Sequence, residues 1–201
     1  MTESVMATDP KEVLARGDAL LIVDVQNDFC PGGALPIEQG DAVVPVLNTW
    51  IAAAVSAGIP VHASRDWHPR GHVSFRESGG PWPVHCLQDS PGAQFRADLR
   101  LPQDTIIITK GVRFDHDQNS AFDQTGIADH LRALQIRRLW IGGLAQDVCV
   151  LATVLDARAA GFAVTVIRDA TRGVTREGCA RADERMRDAG ALFTTTRGRA
   201  P

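Results

Sequence analysis

Six short apolar runs recur along the chain, and helical patterns lie between most of them. The runs span residues 19–25, 60–64, 105–110, 138–144, 163–169 and 191–195, and amphipathic helical spacing is found over residues 41–58, 147–161 and 176–190. Continuous apolar strands are typical of parallel sheets that carry helices on both faces. The pattern therefore predicts an α/β fold, doubly wound, with a mainly parallel six-stranded sheet and helices on both faces.

One long segment breaks this alternation. Residues 66–101 are rich in Gly, Pro, His and Trp and show no sustained period, which is typical of a lid or a binding loop. The 201 residues, of which 44% are hydrophobic and 22% charged, otherwise match one globular domain. We expect a single domain over residues 1–201, with short mobile ends at the polar start and the RGRAP tail.

The net charge, the hydropathy and the cysteines limit which binding partners, cellular location and thiol state are expected. A formal net charge of -3 offers no basic surface for nucleic acid, and no apolar run is long enough to span a membrane. The polar start lacks the pattern of a secretory signal, so a cytoplasmic location is expected. The four cysteines form no CxxC pair and are expected to be reduced.

Three reactive side chains each follow or end a different predicted strand. They are Asp24, Lys110 and Cys149. The carboxyl ends of parallel strands meet at one edge of a sheet, so these side chains are predicted to converge there. A nucleophilic thiol needs a base and a nearby cation, which Asp24 and Lys110 would supply, and amide N–H groups in the first helical turn would favour the Cys149 thiolate. Taken singly, each residue has an ordinary structural explanation.

A second set of residues has the composition of a metal site. Asp66 and His68 are two residues apart on an extended segment, and His85 closes the set from the far part of the loop. One carboxylate and two imidazoles suit one divalent metal ion. Zinc is the preferred candidate, and iron and manganese are the alternatives. His72 is either a fourth ligand or, as we prefer, a pocket residue, and Glu77 carries a weaker form of that alternative. The exposed-looking Asp115, His116 and Asp117 form a lower-ranked rival metal motif.

Phe29 and Trp82 lie beside the two sets in the sequence. Two aromatic side chains at these positions could hold a flat ring between them, although ordinary core packing is the commoner role of Phe.

Five segments together resemble the nicotinamidases, which lie within the isochorismatase-like hydrolases. They are DVQNDFCPGG, RDWHPRGHVSF, WPVHC, TKG and GGLAQDVCV, in chain order. The resemblance implies an isochorismatase-like hydrolase fold, a catalytic triad of Asp24, Lys110 and Cys149, and a metal held by Asp66, His68 and His85. It also implies a cis peptide between Leu144 and Ala145 and an oxyanion hole formed by the amides of Ala145 and Cys149.

The activity that this resemblance implies is metal-dependent hydrolysis of nicotinamide to nicotinate and ammonia through a Cys thioester, in NAD salvage. Phe29 and Trp82 would then bind the ring of this small carboxamide substrate. Residues 112–122 match the family only loosely apart from NSAF, so their role stays open.

Three competing functions remain at this point. An isochorismatase cleaves a vinyl ether without a Cys nucleophile, and the presence of Cys149 argues against it. Another cysteine amidohydrolase, acting on carbamoyl, ureido or other carboxamide substrates, would keep the triad. A noncatalytic binding protein would be expected to have lost a triad residue. The sequence leaves oligomeric state open, and a homo-oligomer is compatible with it.

Overall fold

A computed structural model describes residues 5–197. Its seven strands form one sheet, in which every neighbouring pair is parallel. The strands are β1 (Met6–Thr8), β2 (Asp18–Val23), β3 (Val61–Asp66), β4 (Ile106–Lys110), β5 (Arg138–Leu144), β6 (Ala163–Arg172) and β7 (Leu192–Thr196), in the order β1-β7-β6-β5-β2-β3-β4.

The parallel α/β prediction is confirmed, but the prediction of six strands was wrong. The additional strand, β1, is three residues long and pairs with β7 at one edge of the sheet. A strand of that length shows no periodicity in the sequence, and two of its three residues are exposed. Of the predicted mobile ends, residues 1–4 and 198–201 lie outside the described part of the chain. Arg197, the first residue of the RGRAP tail, is described, and its backbone N donates to Thr8 O at 2.8 Å.

Helices cover both faces of the sheet. They are α1 (Pro10–Val13), α2 (Val43–Ser56), α3 (Ile127–Ala133), α4 (Leu151–Ala159) and α5 (Arg176–Asp188). The alternating residues of β2 show the two layers, because Leu20 and Ile22 pack in the core on the α2 side while Leu21 and Val23 pack on the side of α3, α4 and α5. Among residues 5–197, no helix combines the length and the apolar character needed to cross a bilayer.

The long connection between β3 and β4 is irregular, as predicted. It contains only two 3-10 turns, Arg76–Ser78 and Pro91–Ala93. The buried side chain of Gln26 holds this connection to the sheet edge, since its Nε2 donates to the carbonyl oxygens of Asp66 and Ala93 at 2.8 Å each and its Oε1 accepts from Asp66 N at 2.8 Å. The loop is thereby fixed beside the carboxyl ends of the central strands.

Candidate active site

The carboxyl edge of the sheet brings the three predicted reactive side chains together. Asp24 directly follows β2, Lys110 is the last residue of β4, and Cys149 lies in the turn after β5. Lys110 Nζ lies 2.8 Å from Asp24 Oδ2 and 3.4 Å from Cys149 Sγ. The sulfur also lies within 4.8 Å of a carboxylate oxygen of Asp24. Residues that are far apart in the sequence thus form one compact cluster.

Lys110 is the centre of this cluster. Its side chain is fully buried, and its ammonium contacts Asp66 Oδ1 at 2.6 Å as well as Asp24. Burial by itself would lower the pKa of Lys110, but the negative charges of Asp24 and Asp66 outweigh it and hold the pKa well above its usual value. Lys110 therefore stays charged and joins this cluster to the candidate metal ligands through Asp66.

Asp24 has the environment of a general base. Its Oδ1 accepts a hydrogen bond from Ser64 Oγ at 2.6 Å, while Oδ2 is ion-paired to Lys110 and accepts no hydrogen bond of good geometry within the described chain. Burial raises the pKa of Asp24 above its usual value, and Lys110 acts against that rise. A buried carboxylate with a raised pKa beside the thiol is suited to take and return a proton.

Cys149 lies in a π-helical turn, Gln146–Val150, that precedes α4. The peptide bond between Leu144 and Ala145 at the start of this turn is cis, and the carbonyl of Ala145 accepts hydrogen bonds from Val148 N at 3.1 Å and Val150 N at 3.0 Å. Burial raises the pKa of the Cys149 thiol well above its usual range, and the Lys110 ammonium opposes this only in part. Burial thus acts against the expected preference for thiolate in the first helical turn.

Asp66, His68 and His85 converge beside this cluster, with one donor atom of each within 4.8 Å of the others. Their hydrogen bonds fit metal ligation. His68 Nδ1 lies 2.9 Å from Gly111 O and His85 Nδ1 lies 2.8 Å from Pro83 O. When each ring donates through Nδ1, the lone pair of its Nε2 is available to bind a metal. Asp66 Oδ2 lies 3.5 Å from His68 Nε2, whereas its other oxygen contacts Lys110. The three residues therefore form a donor set that one divalent metal could occupy.

The other candidate metal ligands do not join this donor set, although the ring of His72 packs against that of His68 at a centroid distance of 4.1 Å. His72 is buried, but its Nδ1 contacts Ser74 Oγ at 2.7 Å and the ring is not part of the converging donor group. Glu77 is exposed. In the rival motif, Asp115 pairs with Arg113 and His116 pairs with Asp123. Asp115 and His116 are thus used in local surface contacts.

A pocket of about 480 Å³, including its opening to solvent, lies over Cys149. Phe29 and Trp82 both line it, with Phe29 next to His85 at a ring-centroid distance of 5.5 Å. Its mixed apolar and polar lining fits a small planar ligand. The remaining lining residues are Leu35, Pro36, Ile37, Asp66, His68, Asp117, Asn119, Ala145, Val148 and Val174.

Several residues of this site were missed from the sequence. Ser64 lies two residues before Asp66 on β3, so strand alternation could have placed both on one face. Gln26 lies two residues after Asp24, but nothing in the sequence indicates that its side-chain amide forms hydrogen bonds with the backbone of Asp66. Asn119 is the first residue of the NSAF motif that ends the 112–122 segment, so the motif could have indicated it, but its approach to Cys149 depends on the tertiary structure.

Comparison with known proteins identifies the class that this sheet edge and site define. The isochorismatase domain family matches residues 18–198, and the chain belongs to that family. It is an amidohydrolase, since its curated relatives at 34 to 40% identity over most of the chain are nicotinamidases. The nicotinamidase of Escherichia coli (strain K12) is 40% identical over 88% of this chain and 94% of its own.

Solved structures agree with this assignment. The pyrazinamidase of Pyrococcus horikoshii in complex with zinc has a TM-score of 0.86 and 44% identity, covering 89% of this chain and 99% of its own. PnC1 from L. infantum in complex with nicotinate has a TM-score of 0.85 and 36% identity, covering 94% of this chain and 96% of its own. The resemblance stated from the sequence motifs is confirmed.

Proposed function

We propose that this protein hydrolyses nicotinamide to nicotinate and ammonia through a thioester on Cys149, with a divalent metal required for full activity. One observation carries the proposal: the Lys110 ammonium joins Asp24, Cys149 and the metal-ligand carboxylate of Asp66 at the base of a pocket lined by Phe29 and Trp82. The nicotinamidase relatives and the nicotinate complex of PnC1 from L. infantum support this substrate.

In the first half of the reaction, Asp24 takes the proton of the Cys149 thiol as the sulfur attacks the carboxamide carbon. The amides of Ala145 and Cys149 stabilise the tetrahedral oxyanion, a contribution that is worth about 3 kcal/mol per donor in other enzymes. Asp24 then gives the proton to the leaving nitrogen, the C–N bond breaks, and ammonia departs.

In the second half, Asp24 takes a proton from water, and the resulting hydroxide attacks the thioester carbon. The C–S bond breaks, the acid is released, and the proton held by Asp24 returns to the sulfur. Lys110 remains an ammonium throughout, because two carboxylates hold its proton. Its constant charge balances the thiolate and the carboxylates as they form.

The aromatic ring of the substrate lies between Phe29 and Trp82 in this proposal. Trp82 is fixed by its backbone, since its N donates to Ser74 O at 3.0 Å and its carbonyl accepts from Arg76 N at 2.7 Å. Asp66, His68 and His85 would hold the metal, which supplies a Lewis acid that orients the ring nitrogen. Zinc is the first candidate, in keeping with the zinc complex of the Pyrococcus horikoshii structure, and iron or manganese would suit the same ligands.

Release of nicotinate from nicotinamide would place the protein in NAD salvage. The cytoplasmic location and the absence of nucleic-acid and membrane partners stay expectations from the sequence, as does a single domain over residues 1–201. A homo-oligomer is compatible with the sequence and likewise stays an expectation.

The test compares ammonia release from nicotinamide by the unaltered protein and by Cys149→Ala. We expect the substitution to lower turnover by more than about 10⁴-fold, because the covalent intermediate cannot form, while metal content stays the same. Cys179→Ala is the matched control, since Cys179 lies on α5 outside the pocket over Cys149. Near-normal turnover by Cys149→Ala would exclude the thioester route. Activity on N-carbamoyl compounds instead of nicotinamide would exclude the proposed substrate.

A further inference from the structure

Asn119 is fixed beside the nucleophile by the residues that flank it. Gln118 Nε2 donates to Asp123 O at 2.8 Å, and Ala121 N donates to Thr153 Oγ1, on α4, at 3.0 Å. Gln118 and Ala121 are both buried. The position of Asn119 is therefore set by the helix that follows the nucleophile, although its segment is irregular.

The side chain of Asn119 has a defined orientation. Its Nδ2 donates to Asp117 Oδ2 at 3.4 Å, and its Oδ1 faces Cys149 Sγ at 4.0 Å. Both Asn119 and Asp117 line the pocket over the sulfur. Because a carboxylate can only accept, it directs the NH₂ end of the amide towards Asp117 and leaves the carbonyl oxygen on the side of the nucleophile.

We propose that Asn119 Oδ1 accepts a hydrogen bond from the NH₂ group of the substrate carboxamide, and that Asp117 is the positioning residue that orients it. This inference rests on the proposed function. The attacked carbon has three substituents: the oxygen is directed to the amides of Ala145 and Cys149 and the ring lies between the aromatic side chains. The nitrogen is left, and Asn119 Oδ1, which lines the pocket beside the sulfur, is an acceptor for one of its N–H groups.

This contact discriminates between substrate and product. A carboxamide offers an N–H to Asn119 Oδ1, whereas a carboxylate product places a second acceptor oxygen there, which cannot bond and is repelled. Asn119 thus favours binding of the amide and promotes release of the acid. The same residue makes the site selective for primary amides over the corresponding acids.

The test measures dissociation constants for nicotinamide and nicotinate in the metal-loaded Cys149→Ala protein, with and without Asn119→Leu. We expect Asn119→Leu to shift the affinity ratio about tenfold against the amide, since a hydrogen bond is lost to the amide and none to the acid. Asp117→Ala should shift the ratio in the same direction by less. Val174→Ala, which alters an apolar wall of the same pocket, should change both affinities by a similar factor.

An unchanged ratio in Asn119→Leu and Asp117→Ala would overturn the inference and show that Asn119 only packs in the pocket. With Cys149 intact, kcat/KM for nicotinamide should fall about tenfold in Asn119→Leu. Failure of this inference can be distinguished from failure of the proposed function. If the unaltered protein releases no ammonia from nicotinamide, the proposed function fails; if it does while the ratio stays unshifted, only the role of Asn119 fails.

Discussion

A buried histidine on β3 makes the stability of this protein depend on pH in a calculable way. His62 is 1% exposed, and neither of its ring nitrogens has a hydrogen-bond partner within residues 5–197. The ring of His130, on α3, lies 5.4 Å away. Burial, with a smaller contribution from His130, lowers the pKa of His62 to about 4. The folded protein therefore keeps this imidazole neutral at pH values where the unfolded chain binds a proton.

The sign and size of the effect follow from proton linkage. An unfolded histidine has a pKa of about 6.5, so below that pH the unfolded state gains protons first and the free energy of unfolding decreases. The loss continues until the pH reaches the folded pKa, and its limit is about 3 kcal/mol for a difference of this size. Between pH 7 and pH 4.5, about 2 kcal/mol should be lost through this one group.

Urea unfolding of the unaltered protein and of His62→Leu, measured at steps from pH 7 to pH 4.5, tests this reasoning. The difference between their free energies of unfolding should move in favour of the variant by about 2 kcal/mol as the pH falls. His62→Gln, which keeps a polar side chain but has no titrating group, should flatten the curve in the same way. Parallel curves for all three proteins would refute the assignment of this pH dependence to His62.

Two further predictions concern the active site. Lys110→Met should abolish activity and reduce the free energy of unfolding by about 3 to 5 kcal/mol near neutral pH, because Asp24 and Asp66 then share a buried site without a cation. Equal stability of the variant and the unaltered protein in urea unfolding would contradict the central role of the ammonium. His85→Ala should lower metal content and weaken nicotinamide binding, whereas His116→Ala, at an exposed ion pair with Asp123, should keep its metal by elemental analysis. Unchanged metal in His85→Ala would show that the ligand set is wrong.

The convergence of Asp24, Lys110 and Cys149 could be predicted because it follows from a rule of topology. Each residue lies at or shortly after the carboxyl end of an apolar run, and parallel strands place those ends at one edge of the sheet. How close the three side chains come also depends on the strand order, which puts β5, β2, β3 and β4 side by side. The pairing of Lys110 with Asp66 could not be predicted in this way. It depends on β3 and β4 being neighbours with Asp66 and Lys110 in register, which is a long-range property of the sheet.

The environment of Cys149 shows a second limit of sequence reasoning. Its place after a strand indicated amide groups that favour thiolate, but the opposing effect of burial depends on how completely the surrounding segments exclude water. Local sequence contains the first effect, whereas only the packed structure contains the second.

The sequence by itself determined the alternation of strands and helices, the parallel sheet and the residue types available for chemistry, because apolar periodicity and short motifs are local. Tertiary structure alone decided the seventh strand, the ion pairs that meet at Lys110 and the approach of Asn119 to the sulfur. Those features join segments far apart in the chain, and their energies depend on distance and on exclusion of water, which no local pattern of residues records.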